Sequence, residues 1–111
     1  MGVKFAKKRD TLIAKIEGEL DHHVAESIKN VIDEEYEKKS CKNLIFDFKN
    51  VNFMDSSGIG VIIGRYKKVK ENNGKVAIVN SNKQLHKIIE VSGLLRIIKC
   101  YNDIEEALKE I

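Results

Sequence analysis

The sequence predicts one α/β domain: a mostly parallel sheet with an antiparallel edge strand at its N-terminal end and helices between the later strands. Three observations predict it. Short apolar runs alternate with stretches whose apolar residues recur at three and four, in the order ββαβαβαβα. The first two apolar runs lie close together around Lys8-Arg9-Asp10, which reads as a hairpin. The chain has 111 residues, no proline, and no low-complexity segment or internal repeat, so residues 1–111 are read as a single domain.

In order, Val3 and Phe5 mark the first strand and Leu12, Ile13, Ala14 and Ile16 the second. The segment Gly18-Glu19-Leu20-Asp21-His22-His23 is read as the turn that follows. From Val24, the spacing of Ala25, Ile28, Val31, Ile32 and Tyr36 predicts an amphipathic helix. Asn43 to Phe48 is the third strand and leads through Lys49 to Met54 into a second helix, from about Ser57 to Glu71. Asn72-Asn73-Gly74 supplies residues that tolerate a left-handed helix end, and Lys75 to Val79 has the continuous apolar character of a strand buried on both faces. Asn80-Ser81-Asn82 is expected to cap a third helix carrying Leu85, Ile88 and Ile89. Leu94, Leu95, Ile97 and Ile98 then suggest a last short strand. Asn102-Asp103 caps a terminal helix with Ile104, Ala107, Leu108 and Ile111 on one face.

Composition narrows the function. Hydrophobic residues are 42% and charged residues 33% of the chain, and no apolar run approaches twenty residues, so no membrane span is expected. The start, Met-Gly-Val-Lys-Phe-Ala-Lys-Lys, lacks an apolar signal core, and Ala6 stands where a myristoylation signal wants Ser or Thr, so a cytoplasmic location is expected. The net charge of +3 comes from 20 basic and 17 acidic side chains that are interspersed, which argues against a nucleic-acid surface. The densest basic stretch, Arg65 to Lys70, reads as the solvated face of its helix. Cys41 and Cys100 have neither CxxC spacing nor a His at ligand spacing, so no metal, disulfide or cofactor is expected, and both read as semi-buried packing residues.

The chemistry-bearing candidate is Asp55-Ser56-Ser57-Gly58, where a strand gives way to a helix. A helix start carries unpaired N–H groups and the positive pole of the dipole, so a phosphate attached there is locally tolerated. Asp and Ser are also the commonest N-caps, so a plain helix cap is the competing reading; one Ser suffices for a cap, and a second is available for modification. Parallel topology also gathers the loops after successive strands at one sheet edge, which places Asp21 near Ser56.

Gly-Glu-Leu-Asp-His-His (18–23), Met-Asp-Ser-Ser-Gly-Ile-Gly-Val-Ile-Ile-Gly-Arg-Tyr-Lys (54–67) and Val-Ser-Gly-Leu (91–94) resemble the STAS-fold anti-sigma factor antagonists of spore-forming bacteria, most of all those directed at the anti-sigma-F factor. The resemblance covers nearly the whole chain. It implies a binding module rather than an enzyme. The unphosphorylated antagonist would bind the anti-sigma factor, a serine kinase, and release the sigma factor; phosphorylation would end the interaction, and a serine phosphatase would restore it. It also implies that Ser56 is the phosphoacceptor, that Ser57 lies in the cap or first turn, and that Asp21 contributes to kinase recognition. It assigns His22 and His23 no chemical role. The free protein is expected to be monomeric.

A helix wheel places Ile59, Ile62, Ile63, Tyr66 and Val69 on a buried stripe and Ser57, Gly60, Val61, Gly64 and Lys68 on the other side. Asp21, Asp55, Ser57, Gly58, Gly60, Val61 and Gly64 are therefore the expected partner-binding residues. The ridge around Gly60 and Gly64 suits close docking, with relief of crowding inside the domain as the competing explanation. Other functions fit less well. A hydrolase with Ser56, a His22 or His23 base and Asp21 lacks a GxSxG elbow. A phosphoaspartate receiver lacks the acidic cluster, having only Asp47 in a strand and Asp55 at a helix start. The alternatives that remain are a STAS antagonist of a general stress pathway and a nucleotide-binding STAS module, although no P-loop is present.

Overall fold

The computed structural model describes residues 2–80 and 82–111. Five strands, β1 (Gly2–Lys8), β2 (Thr11–Leu20), β3 (Asn43–Met54), β4 (Val76–Val79) and β5 (Lys99–Tyr101), form one sheet in the order β1-β2-β3-β4-β5. The first pair is antiparallel and the rest are parallel. The helices are α1 (Ala25–Lys38), α2 (Ser56–Glu71), α3 (Lys83–Val91) and α4 (Ile104–Glu110).

Strand order that follows chain order has a direct consequence. Right-handed crossovers moving steadily in one direction put every connecting helix on the same face. Accordingly Leu12, Ala14, Ile16, Leu44, Phe46, Phe48 and Ile78 share a core with Ile28, Ile32, Ile62, Val69, Leu85 and Ile89 from α1, α2 and α3. The residues between them in the strands, Ile13, Ile45, Ala77 and Val79, point to the other face, where Ala107 of α4 covers them.

Several boundaries differ from the sequence expectation. Gly18 to Leu20 remain in β2, with Gly18 at φ 99° beside a register irregularity, so the turn begins at Asp21 rather than Gly18. β3 runs six residues past Phe48, because Val51 and Met54 still pack into the core. The stretch after Gly93 is a 3-10 turn, Leu94–Arg96, not a strand. Leu94 and Ile98, four apart, are buried whereas Ile97 is 46% exposed, which is the spacing of a helical turn and not of alternation. The last strand follows at Lys99. Of the three residues expected to cap α3, Asn82 does so through Gln84 and Leu85 N–H, Asn80 instead braces Asn82, and Ser81 lies outside the described residues.

In the basic stretch of α2, Lys67 and Lys70 are exposed as expected, but Arg65 and Lys68 depart from that role. Arg65 is buried, with Nε 2.9 Å from Asp33 Oδ1 of α1 but without hydrogen-bond alignment, so the contact is a charge pairing. Lys68 lies 2.7 Å from Glu37 Oε1 and 3.7 Å from Asp33 Oδ1. These side chains tie α2 to α1 instead of facing water. Cys41 is buried and Cys100 half-buried, and desolvation pushes both thiols above their ordinary range.

Candidate functional site

β2 and β3 are in register at their last residues, Leu20 beside Met54, so Asp21 and Asp55 leave the sheet side by side. Two extra residues on β3, absorbed at the register shifts, keep the two strands level to this edge. The turn after β2 and the start of α2 are thereby brought together.

Asp55 is the N-cap of α2. Its Oδ1 accepts from Ser57 N–H at 2.9 Å and Gly58 N–H at 3.2 Å. Its Oδ2 accepts from the backbone N–H of His22 at 3.1 Å and lies 3.5 Å from His22 Nδ1. Desolvation alone would raise this carboxyl, but the N–H groups of Gly58, His22 and Ser57 outweigh it and hold Asp55 below the usual carboxylate range. One carboxylate thus joins two turns 33 positions apart in sequence. Asp21 organises the other turn: its Oδ1 accepts from His23 N–H at 3.0 Å, and its carbonyl accepts from Val24 and Ala25, which starts α1 without a side-chain N-cap.

Ser56 is exposed on the first residue of α2, and its hydroxyl has no hydrogen-bond partner among the described residues; Ser57 is half-buried. The free N–H groups expected at this helix start are partly taken, since Asp55 already satisfies two of them. A phosphate on Ser56 would meet a carboxylate as well as the helix pole.

Two expected partner-binding residues are not surface groups. Gly58 is buried, and a Cβ there would lie 2.5 Å from Leu20 O and 2.6 Å from Met54 Cγ, so its role is to let α2 approach the end of β2. Val61 is 6% exposed because it belongs to a second buried side of α2, shared with Arg65 and turned toward α1. Gly60 and Gly64 behave differently: a Cβ at either meets nothing within 4 Å. No crowding inside the domain explains them, and both border a shallow groove of about 420 Å³ with Ser57, Lys29 and Glu26.

The described residues thus bring Asp21, Asp55, Ser56 and Ser57 to one edge, with Gly60 and Gly64 alongside. His22 was missed as part of this cluster. No local signal could reveal it, because its link to Asp55 exists only through the β2–β3 register.

Comparison with known proteins agrees with this architecture. The STAS domain profile matches residues 3–107. This chain belongs to the STAS family. An anti-sigma F factor antagonist of Paenibacillus polymyxa is 36% identical over 109 residues, covering 98% of this STAS chain and 93% of the relative. An anti-sigma-B factor antagonist of Listeria monocytogenes is 31% identical over 98 residues, covering 86% and 85%. The structure of the Bacillus cell fate determinant SpoIIAA in its phosphorylated form superposes with a TM-score of 0.74 at 28% identity, covering 98% of each chain. No helix among the described residues of this STAS domain is long and apolar enough to cross a membrane.

Proposed function

We propose that this chain is an anti-sigma factor antagonist acting on the anti-sigma-F factor. In its unphosphorylated form it binds that serine kinase and displaces the sigma factor. Phosphorylation of Ser56 ends the interaction, and a serine phosphatase reverses the modification in the cytoplasm. The protein works as a binding module, and the kinase supplies the chemistry.

The observation that carries this reading is the exposed, uncommitted Ser56 hydroxyl beside an Asp55 that does the capping. The cap does not need Ser56, so modification leaves the helix start intact. A phosphate adds about −1.5 to −2 charges and three acceptor oxygens to the surface. Weakening the complex a hundredfold takes only about 2.7 kcal/mol, which repulsion and bulk at a contact surface supply. Asp21, which leaves the sheet beside Asp55, belongs to the same surface, and Gly60 and Gly64 border a shallow groove open to close approach.

The general stress pathway is the second reading, favoured by the similarity to the anti-sigma-B factor antagonist. His22-His23 after Asp21 and Gly-Arg-Tyr-Lys at 64–67 resemble the sporulation members more, which favours sigma F.

The test mixes the protein with the anti-sigma-F kinase and ATP and follows its mass. One added phosphate, retained in Ser57→Ala and absent in Ser56→Ala, is the expected result. Phosphate on Ser57, or none on a folded protein, refutes the assignment. Transfer from only the anti-sigma-B kinase selects the stress pathway.

A further inference from the structure

Asp55 touches both halves of the site. Oδ1 holds the first turn of α2, and Oδ2 holds His22 in the turn after β2. His22 is otherwise weakly held: its side chain is 68% exposed, and its ring lies against that of His23, with centroids 4.0 Å apart. The charged and titratable groups around this link are Asp55, Asp21 through His23 N–H, and the two imidazoles. Ser56 adjoins Asp55 in the chain. A dianionic phosphate there is a second acceptor beside the carboxylate, competing for the His22 donors on Oδ2 and repelling the group that now holds them, while Oδ1 keeps the cap.

We propose that His22 is a positioning residue of the switch: its backbone N–H, at 3.1 Å, and its Nδ1, at 3.5 Å, both meet Asp55 Oδ2 and tie the Asp21 turn to the Ser56 end of α2, so that a phosphate on Ser56 loosens this tie and displaces the turn. The inference rests on the antagonist reading for its meaning but not for its physics. Phosphorylation then acts twice: it places charge on the contact surface, and it disturbs Asp21, the residue expected to help the kinase recognise that surface. The rearrangement stays within residues 21–24, because Val24 and Ala25 N–H are anchored on the Asp21 carbonyl and α1 is packed in the core.

The first arm needs no kinase. Phosphoserine is installed at position 56 by genetic encoding, and amide solvent exchange is measured by NMR in the modified and unmodified proteins. Exchange at the His22 amide is expected to accelerate several-fold while the α4 amides stay unchanged; an unaltered His22 amide overturns the proposal. The second arm measures phosphorylation kinetics with the anti-sigma-F kinase. His22→Ala is expected to raise KM several-fold at unchanged kcat, and His22→Asn, which keeps a side-chain N–H near the Nδ1 position, to restore it. His22→Ala keeps the backbone N–H to Asp55, so equal KM values for it and wild type overturn the part assigned to the imidazole, and the exchange arm tests the backbone tie. Failure of the kinase to modify wild type refutes the antagonist reading and leaves the exchange result standing.

Discussion

Gly58→Ala and Gly60→Ala make the same chemical change two residues apart on one helix, and their effects on stability are expected to have opposite signs. At position 58 the new methyl group would lie 2.5 Å from Leu20 O, 2.6 Å from Met54 Cγ and 3.0 Å from Leu20 Cγ. Met54 can swing aside, but the Leu20 carbonyl is backbone at the end of a central strand and receives the Asp55 N–H at 3.4 Å. Relief requires the start of α2 to move away from β2. Forcing a methyl group against backbone at 2.5 Å puts the cost in the upper part of the usual range, about 2–3 kcal/mol, and replacing a helical glycine by alanine returns about 0.5–1 kcal/mol, so the net loss is about 1–2.5 kcal/mol. At position 60 nothing lies within 4 Å, and only the helix gain of about 0.5–1 kcal/mol remains. Urea unfolding followed by circular dichroism, with m values compared to confirm that the unfolded reference is unchanged, measures both. Gly58→Ala should shift the midpoint down and Gly60→Ala up. An unchanged Gly58→Ala, or a Gly60→Ala that destabilises, would refute the close-approach argument.

Gly64→Arg should leave the fold intact, since a Cβ there meets nothing within 4 Å, but weaken binding to the anti-sigma kinase at least tenfold by isothermal titration calorimetry; unchanged affinity would remove the groove from the proposed interface. Asp55 has its folded-state acidity strengthened, so its stabilising contribution is fully present above the ordinary Asp value of 3.8 and fades as pH falls through the lower folded value. The acid limb of an unfolding-midpoint-against-pH curve should accordingly flatten in Asp55→Asn, and an identical limb would show that the cap carries no such linkage. Asp33→Ala should cost about 1–3 kcal/mol in urea unfolding, more than Arg65→Met, because it strands a buried guanidinium while Arg65→Met removes the need for a partner. Cys41 should react with iodoacetamide far more slowly than a small free thiol at pH 7.5, with the rate rising as pH increases, since burial raises its thiol.

The elements were legible wherever periodicity met a clear stop signal. The apolar spacing of α1, the Asn72-Asn73-Gly74 end of α2 and the Asp103 cap of α4 are local patterns, and they appear close to where the sequence put them. Legibility failed where burial came from more than one direction. One helix wheel allows one apolar stripe, yet α2 packs against both the sheet and α1, which buries Val61 and Arg65 together. The short apolar stretch from Leu94 to Ile98 fits strand or turn equally well until neighbouring elements choose between them.

The sequence by itself determined the alternation of elements, the mixed sheet with its antiparallel edge, and the placing of two hydroxyls and a carboxylate at one helix start, because each depends on residues a few positions apart; that the carboxylate of Asp55 does the capping came from the structure. Only the tertiary structure decided what surrounds them. Gly58 is confined while Gly60 and Gly64 stand open, although all three are helical glycines in one run. His22 reaches Asp55 across 33 positions only because two bulges bring Leu20 level with Met54. Such contacts follow from strand register, a long-range property that no local spacing encodes.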